Sequence, residues 1–457
     1  MLQKLVIVGA GSAMFTQGIV RDWLQWKPAG DWELALVDNK PEILEATARL
    51  VRHAVQKADE TLKVTAFVDI RDALLNATIV VCTIGVGGRR AWEQDVLIPR
   101  QYGILQPVGD SVMPGGISRA LRMIPQVLAI AHHVEELCPT ARFFNYANPM
   151  TCVVRALCKH TKLNVTGLCS GVDETLRYLA RYTGVSFESV SARWAGINHC
   201  TWIMDMRSNG ASLWPTCHRL LAKSPVLRPE LLGRMFWDEG WQSSGACRED
   251  AAFSWELFAQ FGAFPAPMDR HVVEFFPERF RDGRYYGKRL GEGAYSFEAC
   301  IAHGDRIFNR TMELGKSLDS QSVDSPDLMG ILEGESSQLI EILDNIERDR
   351  RVWYSVNVPN HGSVTNLPDE AVLELPAVTT SEGFWVPRLG DMPTPLVALV
   401  LRRLAAVEAT VEAAMTGDRL LAVEALILDG GVSDHDVAVR LTDELIHAQK
   451  QYLPQFS

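Results

Sequence analysis

The sequence of 457 residues contains no apolar run approaching the ~18 residues that a bilayer-spanning helix needs, so no membrane segment is expected. It has no surplus of basic residues. Lysine and arginine total 45 against 56 aspartate and glutamate, a formal net charge of −11. Nucleic-acid surfaces need cations to displace counterions, so no nucleic-acid partner is expected. There is no Cys-x-x-Cys pair, and the nine cysteines are scattered. That argues against a secreted disulfide framework and makes a reducing cytoplasm the expected setting. The short apolar stretch at the N-terminus gives way to glycines without the pattern of a signal peptide. We find no internal repeat and no low-complexity segment.

What is present reads as a globular chain, 47% hydrophobic and 22% charged. Lys4–Val8 is a short buried strand. Gly9-Ala-Gly-Ser12 follows, and then Phe15, Ile19, Val20, Trp23 and Leu24 recur at helical spacing. A second strand, Glu33–Val37, ends at Asp38. Further strands are expected at Val64–Phe67, Ala77–Ile84, Ala141–Tyr146 and Asn164–Leu168, with helices between them, notably Ser118–Cys138. Strands alternating with helices imply an α/β fold, a doubly wound parallel sheet over residues 1–168. After residue 168 the alternation stops, and residues 169–457 read as a mixed α+β region. Strands are expected at Arg193–Asn198, Thr201–Arg207, Val352–Val358 and Ala371–Val378, with a turn at Ser208–Gly210. Thr394-Pro395 reads as a cap and first-turn proline opening a long helix that Gly417 stops. The polar stretch Ser317–Asp327 is the expected mobile loop.

Several groups can carry chemistry. Gly9 and Gly11 allow a tight strand-to-helix turn, and Ser12 lies on it, where unpaired N–H groups can face a pyrophosphate. Asp38 is placed to accept from a ribose hydroxyl, which favours NAD over NADP. Met14 stands where the fingerprint has its third glycine. Cys169 lies just past a parallel strand, and His199 sits in Gly196-Ile-Asn-His199. A thiolate and an imidazole can share a metal, although a buried cysteine and a satisfied core histidine are the commoner outcome for such residues. Asn148, before Pro149, can point its amide out of the sheet edge; a turn cap is the plain alternative. Asp269, Arg270, His271 and Glu274 crowd between apolar residues, where ionisable groups can act as bases or form an ordinary charged loop.

Taken in order, these pieces resemble glycoside hydrolase family 4, the NAD- and metal-dependent glycosidases. The resemblance spans nearly the whole chain. Its markers are Gly9-Ala-Gly-Ser12, Val86-Gly-Gly88, Pro114-Gly-Gly-Ile117 with Arg122-Met-Ile-Pro125, Asn148-Pro149, Gly167-Leu-Cys169, Gly196-Ile-Asn-His199, and Asn357-Val-Pro-Asn-His-Gly362 with Asn366-Leu-Pro368. It implies a Rossmann domain like that of lactate and malate dehydrogenases, followed by an α+β domain, in a homodimer or homotetramer. It implies a mechanism in which NAD oxidises C3 of the sugar, a base removes the C2 proton, the C1 substituent is expelled, water adds, and the hydride returns. By resemblance, Cys169 and His199 match ligands of a divalent metal, usually Mn²⁺, and Asn148 matches a substrate contact. Asp269 is the candidate C2 base with His271 as its rival. Some members use a tyrosine in this region, and none occurs between Gly262 and Pro277.

A second departure is Ser170, where members commonly carry histidine, asparagine or aspartate. Serine is a poor general acid at neutral pH. Gln106–Asp110 and the Asp269–Pro277 segment look most like the α-galacturonidase branch, so an α-linked uronide or plain α-hexoside is the expected substrate. Arg89, with Arg90, Arg284 and Arg289, could receive a sugar carboxylate. Two other readings remain: an NAD-dependent dehydrogenase of a hydroxy acid or sugar, and a catalytically inactive NAD-binding paralogue.

Overall fold

The computed structural model describes residues 3–58, 60–223, 251–318, 332, 334 and 338–456. The first half alternates strand and helix. Strands β1 (Gln3–Val8), β2 (Trp32–Val37), β3 (Lys63–Phe67), β4 (Ile79–Cys82), β5 (Arg142–Asn145) and β6 (Val165–Leu168) are connected through α1 (Thr16–Trp26), α2 (Pro41–Lys57), α3 (Ile70–Leu74), α4 (Gly88–Gln101), α5 (Met113–Leu137) and α6 (Met150–His160). All pairings among them are parallel, in the order β3-β2-β1-β4-β5-β6. That is the dinucleotide-binding order, with its crevice where the direction of winding reverses, between β1 and β4. Helices cover both faces, so β1 and β2 are apolar on both sides. Val6, Val8, Ala35 and Val37 pack into the layer containing Ile124, Val127 and Val153. Leu5, Ile7, Leu34 and Leu36 pack into the opposite layer with Ile19, Val20 and Leu44.

The second half holds α7 (Gly171–Thr183), β7 (Val190–Ile197), β8 (Cys200–Ser208), β9 (Ala211–Ser212), α8 (Trp214–Lys223), α9 (Ala252–Phe261), β10 (Phe264–Ala266), α10 (Asp269–Val272), β11 (Arg284–Tyr285), β12 (Lys288–Arg289) and α11 (Phe297–Ser317). It continues with α12 (Leu339–Glu347), β13 (Trp353–Pro359), β14 (Val372–Thr380), β15 (Gly383–Trp385), α13 (Thr394–Thr416), α14 (Arg419–Asp429) and α15 (His435–Gln449). β13 joins the parallel sheet directly, pairing antiparallel with β6 at Val356↔Leu168 and Asn357↔Gly167. β14, β7, β8 and β10 extend it, so one 13-stranded sheet carries both halves.

The observed elements lie where they were expected but differ from the expected bounds by one to five residues at most ends. β4 is shorter than Ala77–Ile84, because Thr83 turns its hydroxyl onto the carbonyls of Val8 and Gly9 as a glycine loop begins. α5 starts at Met113 rather than Ser118. Pro114 suits a first turn, where its missing N–H is not needed. α13 is capped by Pro393, not Thr394, with no side-chain cap bond, and it ends at Gly417 with φ +72. Ser317 closes α11, and the rest of the expected loop, residues 319–327, lies outside the described residues. Among those described, no helix is long and apolar enough to cross a membrane.

Candidate active site

The ends of β1, β2, β4, β5 and β6 open into one cleft of about 2180 Å³. At one side lies the first glycine loop. Gly9 has φ +91, and a Cβ there would sit 2.9 Å from the Ile84 nitrogen, so only glycine lets the two loops lie together. The Gly11 N–H donates to Asp38 Oδ2 at 2.9 Å, and the Lys40 N–H donates to Asp38 Oδ1 at 2.9 Å. Asp38 is thereby fixed at the end of β2 with lone pairs to spare. Ser12 Oγ accepts from the N–H groups of Met14 (3.3 Å) and Phe15 (3.4 Å), so this hydroxyl shapes the loop. The turn runs on past Met14, and α1 opens only at Thr16.

Further along the cleft, Cys169 follows β6 directly. His199 occupies the tight turn between β7 and β8, with φ +139. Its Nε2 lies 3.7 Å from Cys169 Sγ, and its ring centroid is 4.1 Å from that of His271. Asp110, His199 and His271 each offer a ligand atom within 4.8 Å of the others, a group that could hold a metal ion. Ser111 Oγ donates to Asp110 Oδ1 (2.8 Å) and lies 2.8 Å from His199 Nδ1. A hydroxyl has one proton, so it accepts from Nδ1–H and leaves the Nε2 lone pair facing Cys169 and His271. Asn148 Nδ2 donates to Asp110 Oδ2 at 2.8 Å. Arg119 Nε donates to the Asn148 carbonyl at 3.1 Å, with the guanidinium over Trp92.

The sequence motifs assign no role to Asp110, Ser111 or Arg119. A local signal for the first two was present in Pro114-Gly-Gly116. A Cβ on Gly115 would lie 2.8 Å from the Gly109 carbonyl oxygen, and one on Gly116 would lie 2.4 Å from the Ser111 carbonyl carbon. The paired glycines let α5 press against the loop that carries Asp110.

Burial sets the protonation states here. It pushes Cys169 well above the ordinary thiol value, reinforced by the Glu374 carboxylate, so without a nearby cation this group is a thiol. Burial lowers His199, against the pull of Asp110, and lowers His271 further, with His199 adding to the effect. Both rings are neutral at pH 7. Burial opposes the charge on Asp110, but Arg119, and His199 and His271 once they protonate at low pH, pull it below the usual carboxylate value. Glu274 and Glu374 are pushed up by burial, to about 8 and about 7.

Asp269 is wholly buried, and its carboxylate is fully engaged. It accepts from the N–H groups of Phe253 and Ser254, both at 2.8 Å, from Ser254 Oγ at 2.6 Å and from Tyr285 OH at 2.5 Å. It ties the first turn of α9 to the segment bearing His271; burial raises it to about 6 against these bonds. Tyr285 OH also lies 3.3 Å from Tyr295 OH, and Tyr295 lines the cleft. These tyrosines fall after Pro277, outside the tyrosine-free stretch Gly262–Pro277. His271 lies on the cleft wall, and its Nδ1 is buried without a hydrogen-bond partner. Arg89 Nε donates to Asp305 Oδ1 at 2.6 Å, which holds the guanidinium at the cleft wall beside Phe308. Arg90 also lines the cleft and pairs with Asp305 and Glu93, whereas Arg289 pairs with Glu292.

Comparison with known proteins decides the family. The family 4 glycosyl hydrolase pattern matches residues 4–185, and the family's C-terminal domain matches residues 194–432. The chain belongs to family 4 of the glycosyl hydrolases. An alpha-galactosidase of Bacillus subtilis (strain 168) is 26% identical over 460 residues, covering 100% of both chains. An alpha-galacturonidase of Lachnoclostridium phytofermentans is 28% identical, covering 99% of this chain and 97% of that one. Among solved structures, a 6-phospho-alpha-glucosidase from gut microorganisms, in complex with NAD and Mn²⁺, superposes with a TM-score of 0.83 at 18% identity over 100% of both chains. This family 4 fold is therefore a Rossmann-type sheet extended by antiparallel strands.

Proposed function

We propose that this family 4 chain is an NAD- and divalent-metal-dependent glycosidase acting on an α-glycoside, with an α-galacturonide or other uronide as the favoured substrate. Residues 1–168 form its NAD-binding half and residues 169–457 its catalytic half. The observation that carries the reading is that Cys169, His199, His271, Asp110 and Asn148 meet in the same cleft as Gly9, Gly11, Ser12 and Asp38. The residues fit both groups. A buried thiol beside an imidazole lone pair and a carboxylate suits a divalent cation, and the glycine loop with Asp38 suits a dinucleotide. Bound NAD would supply reversible hydride removal at C3, and bound Mn²⁺ would supply Lewis-acid stabilisation of the sugar oxygens at C2 and C3.

The chain's own part follows from the geometry. Cys169 and His199 would hold the metal, with Asp110 beside them, and Ser111 fixes the imidazole tautomer. Asn148 and Arg119 bind sugar hydroxyls, and Arg89 receives a carboxylate. His271 takes the C2 proton, since it is neutral and its Nδ1 carries no bond. Asp269, the other candidate, anchors the His271 segment instead. Ser170 contributes no titratable proton, so water protonates the departing oxygen, or the aglycone leaves unaided. The presence of alpha-galacturonidases among the relatives supports the uronide.

The test is hydrolysis of aryl α- and β-glycosides, uronides included, with Mn²⁺, thiol and NAD in D₂O. Deuterium at C2 of the released sugar, with activity lost when NAD is stripped, is the expected result. NADH accumulating one-for-one with an oxidised product would replace this reading with a dehydrogenase. Tight NAD binding without turnover on any sugar would replace it with an inactive paralogue.

A further inference from the structure

The family match ends at residue 432, and nothing beyond it has a part in the chemistry above. Yet the chain returns to the cleft at its end. Gln451, Tyr452 and Pro454 line the same cavity as Gly9, Asp38 and Gly85. The contact is sharpest at Gly87, which has φ +76 and caps α4. A Cβ there would lie 2.8 Å from Cε2 and 3.1 Å from Cζ of Tyr452, so the phenol ring rests on the loop Gly85–Gly88. That loop follows β4, and its neighbour Ile84 is the residue against which Gly9 packs. Tyr452 and Gly9 thus touch the two ends of the segment Ile84–Gly87.

The tail is firmly seated. Leu453 is buried in the core formed by α5, α6 and α13. Gln455 Nε2 donates to the carbonyls of Leu121 (2.9 Å) and Ala414 (3.2 Å). Gln449 Nε2 donates to the Ala91 carbonyl at 2.8 Å, on the helix that Gly87 opens. These anchors flank Tyr452 and leave its ring half-exposed to the cleft.

We infer that Tyr452, with Gln451 and Pro454, is part of the dinucleotide site and holds NAD in the cleft by walling it beside the loop Gly85–Gly88. The inference rests on the NAD reading above. The chemistry gives the wall a purpose. A cofactor reduced and reoxidised within one turnover has no need to leave, so slow release does not slow catalysis.

The experiment is calorimetric binding of NAD and stopped-flow release of NADH from the full-length protein, for wild type, Tyr452→Ala and Tyr452→Phe. The expected result for Tyr452→Ala is an NAD Kd weaker by about tenfold, carried mainly by faster release. Tyr452→Phe keeps the ring and should stay within about twofold of wild type. Mn²⁺ affinity should be unchanged in both, because the metal-binding side chains lie on other elements. Wild-type NAD affinity in Tyr452→Ala would overturn the inference. So would a matching loss of Mn²⁺ affinity, since that would mean general loosening. Wild-type protein without measurable NAD affinity would overturn the cofactor reading itself.

Discussion

His199 holds a backbone angle that few side chains other than glycine adopt, and its neighbours keep it there. Thr201 bonds back to the Ile197 carbonyl (3.1 Å) and to Glu374 (2.6 Å), pinning the turn from beneath. His199→Ala should weaken Mn²⁺ binding by at least about 100-fold, and Ser111→Ala by about tenfold, with NAD affinity unchanged in calorimetry. Glu274 offers a pH test. Its Oε1 accepts from the N–H groups of Val108 (2.8 Å) and Gly109 (2.9 Å), just before Asp110. Burial raises it from 4.5 to about 8, so the fold prefers its protonated form. The stability it contributes is present below its unfolded value of 4.5 and is lost as pH climbs through about 8. Glu274→Gln should flatten this decline. Denaturant titrations of metal-free protein between pH 5 and 9 check it; parallel pH curves for the two proteins would refute it.

At the scale of elements, α4, α5 and α15 meet on one buried ion pair. Arg122 is 1% exposed and Asp95 is 0% exposed. They bond twice, at 2.8 and 2.6 Å, and Asp95 also accepts from Ser118 Oγ at 2.8 Å and from Gln449 at 3.3 Å. Asp95→Ala strands a buried guanidinium and should cost about 3–5 kcal/mol, measured by urea unfolding. The elements themselves were largely legible. β1, the glycine turn and β2 each carry a local pattern, because a strand buried on both faces must be largely apolar. The sites were legible only where the chemistry is local. Cys169 and His199 stand in recognisable motifs. Asp110 is bound by Ser111 and Asn148, and Ser111 also meets His199; the turn after β5 and the β7–β8 turn converge on the loop before α5, and no spacing in the sequence reports that convergence. Asp269 is ambiguous for the opposite reason: a carboxylate between apolar residues can be a base or a helix-end anchor, and its four bonds to Phe253, Ser254 and Tyr285 come from segments that no local pattern links to it.

At the scale of the molecule, the proposed cofactor and metal ends are carried by one sheet. Asp38→Ala should weaken NAD binding by about tenfold by removing the ribose acceptor, while leaving Mn²⁺ binding alone; fluorescence titration checks both. The junction itself is the hydrogen-bonded seam between β6 and β13, one residue before Cys169. Halves laced together in this way are joined by strand hydrogen bonds and not by a linker alone. Hydride acceptor and metal are then spaced by strand geometry, in steps of about 4.8 Å, much as fixed mounts set the parts of an optical bench. Substrates must be matched to a preset separation rather than gripped by closing jaws, and scattering curves recorded with and without ligands should superimpose.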